Sequence, residues 1–279
     1  MVLPNVSGMQ KMSRIISIMS GKGGVGKTTV VVNAGVALAQ QFGKKIAAID
    51  CNLTTSHLGM ALGIHHAPSN LNHVLRGEAL VEDALYAHSS GLHILPASLK
   101  LRDMDGVDLA RLRPVVKSLA DRYDIVLLDA GPGLGREALS ALHSSQEVVF
   151  VATPTLPAVM DVLRYTEFLR DRDKKHLGVV LNMVTKNESQ LPVDQVEKML
   201  GLPVITSIPR DNAIPKAQAA EVPAILAFPS SKASKELMNV ARHILGMPIQ
   251  REVKVGTLDS IRGHGSRLWE TLSRFPSLD

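Results

Sequence analysis

An octapeptide, Gly21-Lys22-Gly23-Gly24-Val25-Gly26-Lys27-Thr28, stands between the β-branched run Arg14–Ser20 and the helical pattern Thr29–Phe42. Strand, glycine-rich turn and helix in that order form a cradle for phosphate. Glycines lack the Cβ that would keep backbone N–H groups from curling around anionic oxygens. The N-terminus of the following helix adds partial positive charge. Lys27 can reach the β and γ phosphates of a nucleotide, and the Thr28 hydroxyl can complete the coordination of magnesium. Residues Gly21, Lys22, Gly23, Gly24, Val25, Gly26, Lys27, Thr28 and Thr29 are therefore expected to bind a nucleotide with Mg2+.

The strand–helix alternation that begins there continues to about residue 246. Strands are expected at Lys45–Asp50, His93–Ala97, Tyr123–Asp129, Glu147–Thr153, Leu177–Val184 and Pro203–Pro209. Helices are expected at Ala110–Arg122, Ala158–Asp171 and Ser234–Leu245. Several strands are apolar almost throughout, as parallel strands covered on both faces are. The expected fold is α/β: a doubly wound, mostly parallel sheet with helices on both faces, of the P-loop NTPase kind, plus a short C-terminal amphipathic helix. The division is 1–246 for the ATPase domain, 247–265 for a linker and 266–279 for the tail. Composition agrees, at 45% hydrophobic and 20% charged, which excludes disordered and collagen-like classes. The net charge of +5 is compatible with anionic partners without specifying one. The N-terminal residues carry no apolar signal core and the chain has one cysteine, so a cytoplasmic protein is expected.

A second nucleotide-site element follows the run Asp124-Ile-Val-Leu-Leu-Asp129. Asp129 closes a strand, where ligands of open α/β sheets gather, and Gly131, Pro132, Gly133 and Gly135 form a loop able to respond to the γ-phosphate. With Lys22 the first loop reads K-G-G-V-G-K-T, and here the chain resembles the MinD/ParA family of dimerising ATPases with a deviant Walker A motif. It lies closest to MinD, in its archaeal-type form. The likeness runs from residue 14 to about 246. It includes the strand ends at Asp50 and Asp129, Thr153-Pro154, Asn182, Ile208-Pro209-Arg210-Asp211, and Ser231-Lys232-Ala233-Ser234. The resemblance implies an ATP-dependent homodimer in which Lys22 reaches the nucleotide of the other subunit. It further implies that Asn182, Pro209, Arg210 and Asp211 hold adenine, and that Thr28, Asp50 and Asp129 organise magnesium.

One departure bears on catalysis. The family usually carries two switch aspartates one residue apart, and this chain has Asp50 and Asn52. An amide accepts a hydrogen bond from water but is a negligible base. Slow hydrolysis is expected, with Lys22, Lys27, Asp50 and Asn52 as the catalytic set. The segment Asn52–His57 reads as a polar switch loop. His57, His65, His66 and His73 crowd the same region without a zinc spacing and are expected to be solvated or hydrogen-bonded. Cys51 is expected to be a small buried residue, with a redox-sensitive thiol as the alternative.

Beyond Gly246 the apolar period lapses until Ser266–Phe275. There Leu268, Trp269, Leu272 and Phe275 form a stripe flanked by arginines, which suits a bilayer interface and resembles the membrane helix of MinD proteins. Ten residues are marginal as an isolated helix, and two tails on one dimer bind by avidity. The sequence thus suggests a MinD-like switch, cytoplasmic and peripherally membrane-associated in the ATP state, that positions an unidentified effector or cargo in cell division or another positioning system. The alternatives are a ParA-like ATPase on non-specific DNA, less favoured for want of a dense basic block, or a hydrolysis-poor ATP-binding scaffold; for the tail stripe the alternative is packing on its own domain or on a protein partner.

Overall fold

The computed structural model describes residues 13–170, 172–187 and 189–250. The linker beyond residue 250 and the tail residues Leu268, Trp269, Leu272 and Phe275 lie outside that range. Among the described residues a single sheet contains β1 (Arg14–Met19), β2 (Ile46–Cys51), β3 (Tyr86–Ala87), β4 (Leu92–Leu95), β5 (Ile125–Ala130), β6 (Glu147–Ala152), β7 (Lys175–Val184) and β8 (Val204–Pro209). Their spatial order is β3-β4-β2-β5-β1-β6-β7-β8. Every neighbouring pair is parallel except β3 with β4. The two-residue β3 is too short to leave a periodic signal and was not expected from the sequence.

The helices are α1 (Lys27–Val36, prolonged by a π turn over Ala37–Gln41), α2 (Leu71–Arg76), α3 (Leu112–Ala120), α4 (Arg136–Ser144), α5 (Leu156–Leu169), α6 (Val193–Leu200), α7 (Ala213–Ala219), α8 (Ala224–Ala227) and α9 (Lys232–Ile244). No helix among the described residues is long and apolar enough to cross a membrane.

Strands β2, β5 and β6 are buried along their whole length, because helices cover both sides. The two faces feed two cores. Val126, Leu128 and Phe150 join the first with Val116 of α3, Leu142 of α4 and Tyr165 of α5. Ile16, Ile18, Ile46, Ala48, Ile125 and Leu127 join the second with residues of α1 and α9. Side chains alternate between faces along a strand, and this parity positions the site. Asp129 shares the parity of Ile125 and Leu127, and Asp50 that of Ile46 and Ala48. Both therefore turn toward α1, the helix that the glycine loop launches. The register sets them side by side, Asp50 opposite Asp129.

Candidate functional site

The chain leaves β1 at Ser20 and turns through the glycine loop into α1. Gly24 (φ 77°) and Gly26 (φ 91°) are left-handed, a conformation that L side chains rarely adopt. A Cβ on Gly23 or Gly24 would meet nothing within 4 Å, so that part of the loop is open to a ligand. A Cβ on Gly21 would instead collide with Asp161 of α5, and one on Gly26 with the Asn182 amide. These two glycines permit close packing behind the cradle.

Three groups meet at the start of α1. The Lys27 ammonium bonds Asp129 Oδ1, and the Thr28 hydroxyl donates to Asp129 Oδ2 at 2.6 Å. Lys27 and Asp129 are both buried, at 7% and 1% exposure. A buried charge persists only when it is paired, so the lysine and the aspartate hold each other in a desolvated corner of the cleft. Asp50, fully buried, lies beside them. Desolvation, and next the neighbouring Asp129 carboxylate, push its pKa up to about 7, against the hydrogen bonds that it accepts. A divalent cation beside such a pair offsets their repulsion. The cradle, amine, hydroxyl and carboxylate are together the donor set that a nucleotide phosphate with magnesium requires.

The cleft has a volume of about 840 Å³, within the roughly 300–1,000 Å³ usual for ligand sites. Lys22 to Thr29, Asn52, Asn182 and Pro209 to Asp211 all line it. The fold thus brings the glycine loop together with Asn182 and Pro209–Asp211, which the sequence places about 150–190 positions downstream. Their present partners are specific. Asn182 shares the parity of Val180, faces α1 and donates from Nδ2 to the Val25 carbonyl at 2.8 Å. The Asp211 carboxylate accepts from the Ala213 amide (2.9 Å) and the Ala233 amide (3.3 Å), which joins the starts of α7 and α9. Arg210 is exposed. The Asn52 amide donates to the carbonyl (2.6 Å) and hydroxyl (2.9 Å) of Thr55, so it is turned into its own loop. Lys22 is half-exposed at the rim, 3.9 Å from Asp161.

Several residues escaped the sequence reading. Asp161 both meets Lys22 and packs on Gly21. Glu137 at the start of α4 accepts from the Thr54 hydroxyl at 2.6 Å and so ties the switch loop to that helix. The Tyr165 hydroxyl donates to the Gly133 carbonyl. Met183, next to Asn182, has φ 57° and falls where the β7–β8 ladder slips register. A non-glycine residue in that region near a site marks stored strain, and nothing in the sequence announces it. Cys51, of opposite parity to Asp50, is buried on the other face, and burial pushes its thiol up.

Comparison with known proteins follows the same outline. A family model for ParA, described as NUBPL iron-transfer P-loop NTPase, matches residues 11–245. An uncharacterized ATP-binding protein of Methanocaldococcus jannaschii is 32% identical over 243 residues, covering 87% of this chain and 92% of that protein. The septum site-determining protein MinD of Thermotoga maritima is 31% identical over 273 residues, covering 92% and 99%. The solved structure of MinD from Pyrococcus horikoshii, complexed with Mg-ADP, superposes with a TM-score of 0.81 at 33% identity, covering 87% of this chain and all of that one.

Proposed function

The chain belongs to the MinD/ParA family of P-loop ATPases, and from that premise we propose that it is an ATP-operated dimerising switch of MinD type. In this reading two protomers close face to face over two nucleotides, and the dimer binds membrane through the tail and captures an effector or cargo. Slow hydrolysis then releases it to the cytoplasm. One observation carries the proposal: Lys27, Thr28 and Asp129 converge under the glycine loop, while the loop's other lysine, Lys22, stands half-exposed at the rim.

Bound ATP and magnesium supply the phosphoryl group and much of the charge that offsets its oxygens. The chain's own groups position and neutralise. Lys27 and the Gly23–Thr29 amides would hold the phosphate oxygens, and Thr28, Asp50 and Asp129 would hold the metal. Lys22 reaches across to the partner's nucleotide. Asn52 orients water only after it leaves Thr55, and it takes no proton. That double requirement supports slow turnover, and it also favours the second reading, a scaffold that keeps its ATP. Iron transfer, which the description of the family model mentions, has little support in this chain. Thiolates hold iron–sulfur clusters, and its one cysteine, Cys51, is buried in β2.

Light scattering with ADP, then ATP, each with magnesium and with or without anionic liposomes, tests the proposal. Mass doubling with ATP alone, and a blue shift of Trp269 fluorescence on liposomes, are expected. A mass that ignores the nucleotide would sink the switch. Dimerisation without the fluorescence shift would remove the membrane step.

A further inference from the structure

Four histidines lie between residues 57 and 73. The fold sends His57 to the wall of the nucleotide cleft and the other three elsewhere. His65, His66 and His73 line a second cavity, of about 250 Å³, together with Lys100 and Arg102. This cavity backs onto the switch segment. Met60 lines both cavities. Ser56 also lines the second one, and its hydroxyl donates to Asp50 Oδ2 at 2.7 Å.

Its charge is lopsided. Two permanent cations, Lys100 and Arg102, and three imidazoles face one carboxylate, Asp103, whose Oδ2 is occupied by the Ser98 hydroxyl at 2.5 Å. His65 is engaged with Glu221 at 2.7 Å. His73 is different. Its ring Nδ1 is buried and has no hydrogen-bond partner among the described residues, an arrangement that native proteins rarely leave uncompensated. A metal does not answer the need. No group of three or more histidine, cysteine or carboxylate side chains among the described residues could hold one, and the lysine and arginine would repel it. The volume falls below that of drug-sized sites and suits a single small anionic group.

We propose that this cavity binds an anionic oxygen group, a phosphate or a carboxylate, held by Lys100 and Arg102 beside the His73 ring and coupled to the nucleotide cleft through Ser56 and Met60. The coupling rests on the ATPase-switch reading; the binding does not. Because coupling is reciprocal, the nucleotide state sets the affinity of the anion, and the anion biases the nucleotide site in return.

The test uses full-length protein saturated with Mg-ADP, so that the glycine loop is filled. Inorganic phosphate and, separately, glutarate are titrated against sodium chloride of matched ionic strength. The readout is the His73 ring resonances in a nitrogen-15 NMR spectrum. A saturable shift with millimolar midpoint is expected, weakened at least tenfold in the double variant Lys100→Gln, Arg102→Gln. Saturation by phosphate alone would identify a phosphate group as the ligand; saturation by glutarate alone would identify a carboxylate. A shift that chloride reproduces, that never saturates, or that survives in the double variant overturns the site. Repeating the titration with a non-hydrolysable ATP analogue should change the midpoint at least threefold. Equal midpoints overturn the coupling while leaving the binding intact, and neither result depends on whether the chain dimerises.

Discussion

The glycine loop and the switch segment flank one cleft but are held in opposite ways. The glycine loop is clamped from behind by the fold: Gly21 packs on α5, and Val25 accepts from Asn182. The switch segment is gathered mainly on one carboxylate, Asp50, with Thr54 tied separately to Glu137. Asp50 accepts from the Asn52 amide at 3.1 Å, the Ser56 hydroxyl at 2.7 Å, the His57 amide at 3.1 Å and the Leu58 amide at 3.0 Å. A loop fixed by many remote contacts keeps its shape as ligands come and go. A loop gathered on one acid, itself titrating near neutrality beside Asp129, is built to let go.

Substitutions can break that contrast. The largest effect is expected for Lys27→Ala, which removes the phosphate contact and strands Asp129. Calorimetry should find ATP affinity reduced about a thousandfold, ~4 kcal/mol, with little change in the switch segment. Asp50→Ala should do the reverse. Four donors lose their acceptor, at a net cost of about 3 kcal/mol after relief of the buried acid. Urea unfolding would report that loss, and hydrogen exchange should rise over residues 52–58 while the amides of 23–28 stay protected. If both loops loosen together, the contrast is wrong. Asn52→Asp should raise ATP turnover about tenfold, ~1.4 kcal/mol of barrier, with any activating partner present; no gain would show that hydrolysis depends on another group. The smallest effect belongs to Thr54→Val, which cuts the bond to Glu137 and should cost about 1 kcal/mol or less, seen as a small fall in Tm.

What the sequence disclosed follows from how local each feature is. The glycine loop was legible because its chemistry fits into eight consecutive residues, and Asp129 because a strand end after an apolar run can be read directly. The sheet and its long helices were legible from period and strand–helix alternation. Helix α4 was not, since Ala138, Ala141 and Leu142 make a weak stripe directly after a glycine-rich turn. Asp161, Glu137 and Tyr165 were invisible for a different reason: each acts on a residue far away in the sequence, and only the packing of α4 and α5 brings them there. The sequence reads the histidines as solvated or hydrogen-bonded rings, because Lys100 and Arg102, which give three of them a common cavity, lie about thirty residues downstream.

Met183 carries one more consequence. Holding a side-chain-bearing residue in left-handed backbone costs about 1–2 kcal/mol, and that energy has already been spent before any nucleotide arrives. The neighbouring Asn182, which donates to the Val25 carbonyl, is held against the glycine loop by the scaffold. Capture by the cradle should therefore proceed with a small entropic penalty and a fast on-rate. Relaxing the kink with Met183→Gly should strengthen the fold slightly while loosening that hold, trading rapid docking for thermal endurance.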